Sequence, residues 1–330
     1  MPPVQSQGRS QEFESNAPTL RWSRVLCLAI GLFAGSVGGL EGYWRERGVR
    51  PHVAESRDLW SFWRRQVYEP SGRVLVFLGT SRVRADVDLE TLSYAAPRFR
   101  SVQLGVSGDG SPLGTLQSLA FDEKFRGTVI CELASPFLPR SRWDDQRKYF
   151  GQTKENPSVE QLIAAYIRDD VALLNPSVTI SALLRNPSSA KSSVEPSRCQ
   201  SCFNRSLRYF EDVLPPRIYL PQEQTVDGRT ILEGIGAVRP LVHKIHTRGG
   251  SVVFVGLPLS AADAETRSGF VGKLTWAMIA DLTGAVCIPL ETGDSLDAFH
   301  CADGAHLDYQ QAKRFTRRLV AEMERKHVLK

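Results

Sequence analysis

Five short runs constrain this chain most: RVLVFLGT (73–80), SVQLGVS (101–107), TVICELA (128–134), SVVFVGLP (251–258) and AVCIPLE (285–291). Each is continuously apolar and rich in Val, Ile, Leu and Phe, without the alternation of a sheet that has one wet face. A strand buried on both faces reads this way, and such strands belong to parallel sheets covered by helices. Helix-compatible stretches fall between the runs, at 112–125, 228–247, 262–283 and 308–326. The alternation predicts an α/β fold, a doubly wound parallel sheet of five strands whose ligands gather at the strands' carboxyl ends. With 330 residues, 42% of them hydrophobic and 23% charged, the chain has a globular composition.

One interval breaks the rhythm. About 115 residues separate the third run from the fourth, too many for a simple connection, and they read as an insertion over about 136–227. SVEQLIAAYIRDDVALL and TISALLRN within it are predicted helices, and NPSSAKSSVEPSRCQSC reads as an exposed Ser/Pro-rich loop.

At the amino end, no charged residue occurs between Arg24 and Glu41 in WSRVLCLAIGLFAGSVGGLEGYW. That is close to the roughly 17–25 residues a spanning helix needs, and Trp22, Tyr43 and Trp44 stand where aromatic rings favour the membrane interface. The resulting division is a cytoplasmic tail over 1–24, a transmembrane anchor over 25–44, a connector over 45–70 that is helical around SRDLWSFWRRQVY, and a domain over 71–330. Arg21 and Arg24 precede the segment while Arg45, Arg47 and Arg50 follow it, so charge orients it only weakly. The favoured arrangement is a single-pass membrane protein with its body extracytoplasmic, periplasmic or extracellular. A cleaved signal peptide, with FAGSVGG near the cut, is the alternative and also puts the body outside the cytoplasm.

The net charge of +5 is concentrated in the last stretch, KRFTRRLVAEMERKHVLK, with seven basic and two acidic residues. It reads as a solvated helix face, against contact with anionic lipid or an acidic polymer. No basic stripe interleaved with aromatics occurs, so nucleic acid is not an expected partner. Of six cysteines, Cys27 lies in the apolar segment, and Cys199 and Cys202 form a lone C-x-x-C without the second ligand pair of a zinc site. Those two read as a local disulfide or a pair of thiols, and a bridge between Cys287 and Cys301 is left open. No metal cluster or phosphate loop is present in the sequence, and no cofactor is expected.

The first run ends on Gly79-Thr80-Ser81-Arg82. A serine there is either an ordinary turn residue or a nucleophile, and a nucleophile requires a base that is itself oriented by a third group. After the fifth run stands CADGAHLDYQQAKRF, in which Asp303 and His306 are three apart just before an amphipathic helix. Capping by Asp303 or Asp308 with an incidental histidine is the plainer reading. Asp297 and His300 share the D-x-x-H spacing, but only the later pair is followed by a leucine and a helix. His243 and His246 read as surface or core histidines, Asp109 as a helix cap, and Arg82 and Arg84 as salt-bridge partners of Asp86 or Asp88, against the alternative of steering an anionic substrate.

GTSR after the first run, GVSGDGSPLG after the second and DGAHLDYQQAKRF before the last helix resemble blocks I, II and V of the SGNH, or GDSL-type, hydrolase superfamily. The resemblance covers about 73–134 and 250–326, and block I has the GTSR form of a membrane-anchored branch. It implies a flavodoxin-like sheet, with Ser81 as nucleophile, His306 as general base and Asp303 as its orienting carboxylate. It also implies an oxyanion hole built from the Ser81 and Gly108 N–H groups. Thr80 stands where block I usually carries Asp, and the stretch that should supply the family's oxyanion Asn reads CELASPF. Ser135 or a residue of the insertion would have to complete the hole, or the hole is defective. The implied activity is that of a serine esterase or acyltransferase on acyl esters, O-acetyl groups of an envelope or exported polysaccharide above all, with an acylated carbohydrate or lipid as substrate. The alternative is a weakly active or inactive scaffold of an envelope or polysaccharide-export complex.

Overall fold

The computed structural model describes residues 22–47, 57–68, 71, 73–106, 110–134, 138–144, 160, 171, 173, 227–258, 276–290, 299, 301 and 306–329. In chain order its principal elements are α1 (Trp22–Glu46), α2 (Arg57–Arg65), β1 (Val74–Leu78), α3 (Ser81–Asp86), α4 (Leu89–Ala95), β2 (Arg100–Gln103) and α5 (Leu113–Phe121). There follow β3 (Thr128–Glu132), α6 (Gly228–His246), β4 (Ser251–Gly256), α7 (Trp276–Thr283), β5 (Val286–Pro289) and α8 (Tyr309–Arg325). Each apolar run forms a strand shorter than the run itself. In β1, for example, the last paired residue is Leu78, next to Gly79.

All neighbouring strands pair in parallel, in the order β2-β1-β3-β4-β5. Both sheet faces are dry, as the unalternating sequence predicts. Val74, Val76 and Leu78 point into one core with Leu116, Val238, Leu241 and Ile279, from α5, α6 and α7. Leu75 and Phe77 point into the other with Leu92, Phe315 and Leu319, from α4 and α8. The strand order reverses direction between β1 and β3, where a doubly wound sheet opens a crevice at its carboxyl edge.

Short polar side chains set the helix starts. Thr80 caps α3, Asp88 caps α4, Asp227 caps α6, and Asp308 caps α8 by accepting from the Gln311 N–H at 2.8 Å. Each satisfies backbone donors that a first helical turn leaves without intrahelical partners.

Helix α1 has 25 residues and a mean hydropathy of 1.7 in its most apolar window, none of it buried. At 1.5 Å per residue it is about 37 Å long, enough to cross a membrane by length and composition, and Leu26, Ile30 and Phe33 along it are exposed. Nearly all of the insertion, with its two predicted helices and Cys199 and Cys202, lies outside the described residues, as does the first part of the helix expected over 262–283. Cys287 and Cys301 are free thiols. They pack into the cores on opposite faces of the sheet, which keeps them from bridging.

Candidate active site

The site is built around the turn from β1 to α3. A Cβ on Gly79 would lie 2.2 Å from Val83 Cγ2 and 2.8 Å from Glu132 Oε2, so only glycine lets the chain turn this sharply against β3. Glu132, the last residue of β3, has a side chain only 1% exposed. Its Oε2 accepts from the Thr80 N–H at 2.9 Å and the Thr80 hydroxyl at 3.0 Å, and its Oε1 pairs with Arg82 Nη1 at 3.3 Å. Arg82 Nη2 also donates to the Pro258 carbonyl, just past β4. The carboxyl ends of β1, β3 and β4 are thereby tied together beneath Ser81. The sequence expectation that Arg82 pairs with Asp86 or Asp88 is corrected: its salt bridge is to Glu132, 50 residues away. Asp88 instead accepts from the Thr91 N–H at 3.0 Å as the α4 cap.

The second half of the site comes from the segment before α8. Leu307 is fully buried and forms an antiparallel bridge with Cys301, while Asp308 starts the helix. These two residues fix the backbone on the carboxyl side of His306, which is itself 8% exposed. His306 Nε2 lies 2.9 Å from Ser81 Oγ, across 225 residues of sequence. An imidazole so placed can accept the hydroxyl proton as the oxygen attacks an electrophile. The Ser81 N–H, at the first position of α3, has no intrahelical acceptor and is of the kind that can donate to a developing oxyanion.

Asp86, at the far end of α3, is completely buried, and its Oδ1 accepts from the Leu307 N–H at 2.9 Å. Burial pushes its carboxyl up to about 7, against the opposing pull of Arg82, His306 and the Leu307 N–H, with Glu132 adding to the rise.

Of the residues singled out in the sequence, Ser81 and His306 are brought together. Asp303, Gly108, Asp109, Ser135, Asp297 and His300 lie outside the described residues. His243 and His246 are exposed on the last turns of α6, which leads into the amino end of β4, away from Ser81. Sequence reasoning missed Glu132 and Asp86. The signal for Glu132 was a carboxylate inside TVICELA, a run read as buried on both faces, where a charge needs a partner. Among the described residues, no group of three His, Cys, Asp or Glu is placed to hold a metal ion. No protein-family model matches the chain, and no curated protein matches it.

Proposed function

We propose that the protein is a membrane-anchored serine esterase or acyltransferase of the SGNH type, with a flavodoxin-like catalytic domain facing outward. The observation that carries this reading is the 2.9 Å contact between Ser81 Oγ and His306 Nε2 at the carboxyl edge of the parallel sheet. Ser81 Oγ attacks the ester carbonyl while His306 takes its proton, and the Ser81 N–H supports the resulting oxyanion. Collapse breaks the bond to the leaving alkoxide, which receives the proton from His306, and an acyl-serine remains. Water or a sugar hydroxyl then attacks the acyl-serine, gives its proton to His306, and the serine is regenerated. Asp303 orients the imidazole and the Gly108 N–H completes the oxyanion hole in this scheme. The substrates are acyl esters, O-acetyl groups on envelope or exported polysaccharide first among them.

The full-length protein in detergent should release p-nitrophenol from p-nitrophenyl acetate and be labelled at Ser81 by a fluorophosphonate. Ser81→Ala should abolish both, and His306→Gln should slow labelling about a hundredfold or more. A second reading, that of a catalytically silent scaffold in an envelope complex, is favoured by the end of β3. Both Glu132 oxygens there are committed to the Thr80–Arg82 turn, and Leu133 and Ala134 offer no side-chain amide to an oxyanion. Absence of labelling, together with Ser81→Ala cells indistinguishable from wild type, decides for the scaffold.

A further inference from the structure

The geometry points to Asp86 as the positioning residue of this site: from the end of the helix that begins at Ser81, its carboxylate clamps the backbone that carries His306. The inference rests on the Ser81–His306 reading but concerns what holds the pair. Leu307 N belongs to the peptide plane whose other side is the His306 carbonyl carbon, so the 2.9 Å bond from that N–H to Asp86 Oδ1 fixes the plane from which the imidazole projects. Ser81 and Asp86 are the first and last residues of one six-residue helix, separated along it by about 7.5 Å. Nucleophile and base are therefore set against each other by a single rigid piece of backbone rather than through the whole sheet.

A purely structural tie would not need a carboxylate. Asp86 Oδ2 is shut away from water without a hydrogen-bond partner among the described residues, a costly state for a carboxylate oxygen that a tie through one acceptor alone does not require. The charged groups acting on it are Arg82 from its own helix, His306 from the loop before α8, and Glu132 from β3. Of these, only His306 must change charge when it takes the serine proton. An anionic Asp86 favours the imidazolium so formed, and a carboxyl titrating near neutrality makes that support depend on pH.

The test uses full-length protein in detergent micelles and follows fluorophosphonate labelling of Ser81 from about pH 5 to 9. Labelling should slow about tenfold or more in Asp86→Ala, which loses the clamp. It should largely recover in Asp86→Asn, which keeps the acceptor oxygen but not the charge, and the pH dependence that the Asp86 carboxyl contributes near neutrality should then be lost. Hydrogen exchange of the Leu307 amide should quicken in Asp86→Ala and stay slow in Asp86→Asn. If Asp86→Ala is labelled at the wild-type rate and the Leu307 amide exchanges alike in all three proteins, the positioning role is overturned while the hydrolase reading stands. If wild type is not labelled but the Leu307 amide still responds to Asp86→Ala, the hydrolase reading falls and the positioning role stands.

Discussion

At the residue scale, Glu132 is the side chain on which the turn presenting Ser81 depends, because it takes two donors from Thr80 and one from Arg82 with only two oxygens. Replacing it by alanine leaves the Arg82 charge and the Thr80 N–H without that acceptor in a nearly dry site, and losing one partner of a buried ion pair costs about 3–5 kcal/mol. Glu132→Ala should therefore lower the denaturant midpoint of unfolding strongly, and Glu132→Gln less, since the amide oxygen can still receive the Thr80 donors. A Glu132→Ala midpoint equal to wild type would remove Glu132 from this role. Ser81 was legible because a glycine ended a β-branched run, and His306 because a leucine and an amphipathic helix followed the D-x-x-H spacing. Asp86 and Glu132 were not. In a one-dimensional reading, the arginines of RVRADVD find the acids beside them, whereas the helix and sheet hand Arg82 to the end of β3 and Asp86 to the loop before α8.

At the scale of elements, α2 joins the stretch after α1 to the sheet. Trp60 is buried against it, with Nε1 donating to the Leu104 carbonyl at 3.3 Å. The opposite tie is polar: Asp122, capping the end of α5, accepts from Arg64 Nη2 and from the Tyr68 hydroxyl, each at 2.6 Å. Burial alone would raise the Asp122 carboxyl, but Tyr68, Arg64 and the Lys124 N–H outweigh it and hold it below the usual carboxylate range. A depressed carboxyl adds stability above its unfolded value and loses it as pH falls through the folded one. Wild type should thus melt above Asp122→Asn by a constant margin between pH 6 and 8, and the margin should close on acidification below about pH 4. A margin that persists at pH 2.5 would show that packing, not the charge, holds α2. The connector's helical character was legible in SRDLWSFWRRQVY, but its docking onto α5 was not. Nothing in the sequence brings Arg64 within reach of Asp122, 58 residues on, until the parallel sheet is assembled.

For the whole molecule, parallel strand order is what makes a site out of distant residues, since it puts the carboxyl ends of β1, β3 and β4 on one edge, where Ser81 and His306 meet. That logic was available from the unalternating runs alone, whereas the order β2-β1-β3-β4-β5 was not, because the apolar pattern does not say which strand neighbours which. Helix α1 stands apart from this construction: Leu28 and Leu32 are 67% and 64% exposed, and none of its apolar window is covered by the rest of the protein. Water would be a poor solvent for such a surface, and a bilayer a good one. Full-length protein should therefore stay in the membrane pellet after alkaline carbonate extraction. Leu28→Lys with Leu32→Lys should release it, because each central lysine costs about 2.5–3.5 kcal/mol of insertion free energy. The Ser81–His306 contact is assembled from residues 73 onward, so the released double variant should still be labelled at Ser81 at the wild-type rate. Wild-type protein found in the carbonate supernatant would overturn the anchor. Release accompanied by loss of labelling would show instead that α1 is part of what holds the α/β domain together.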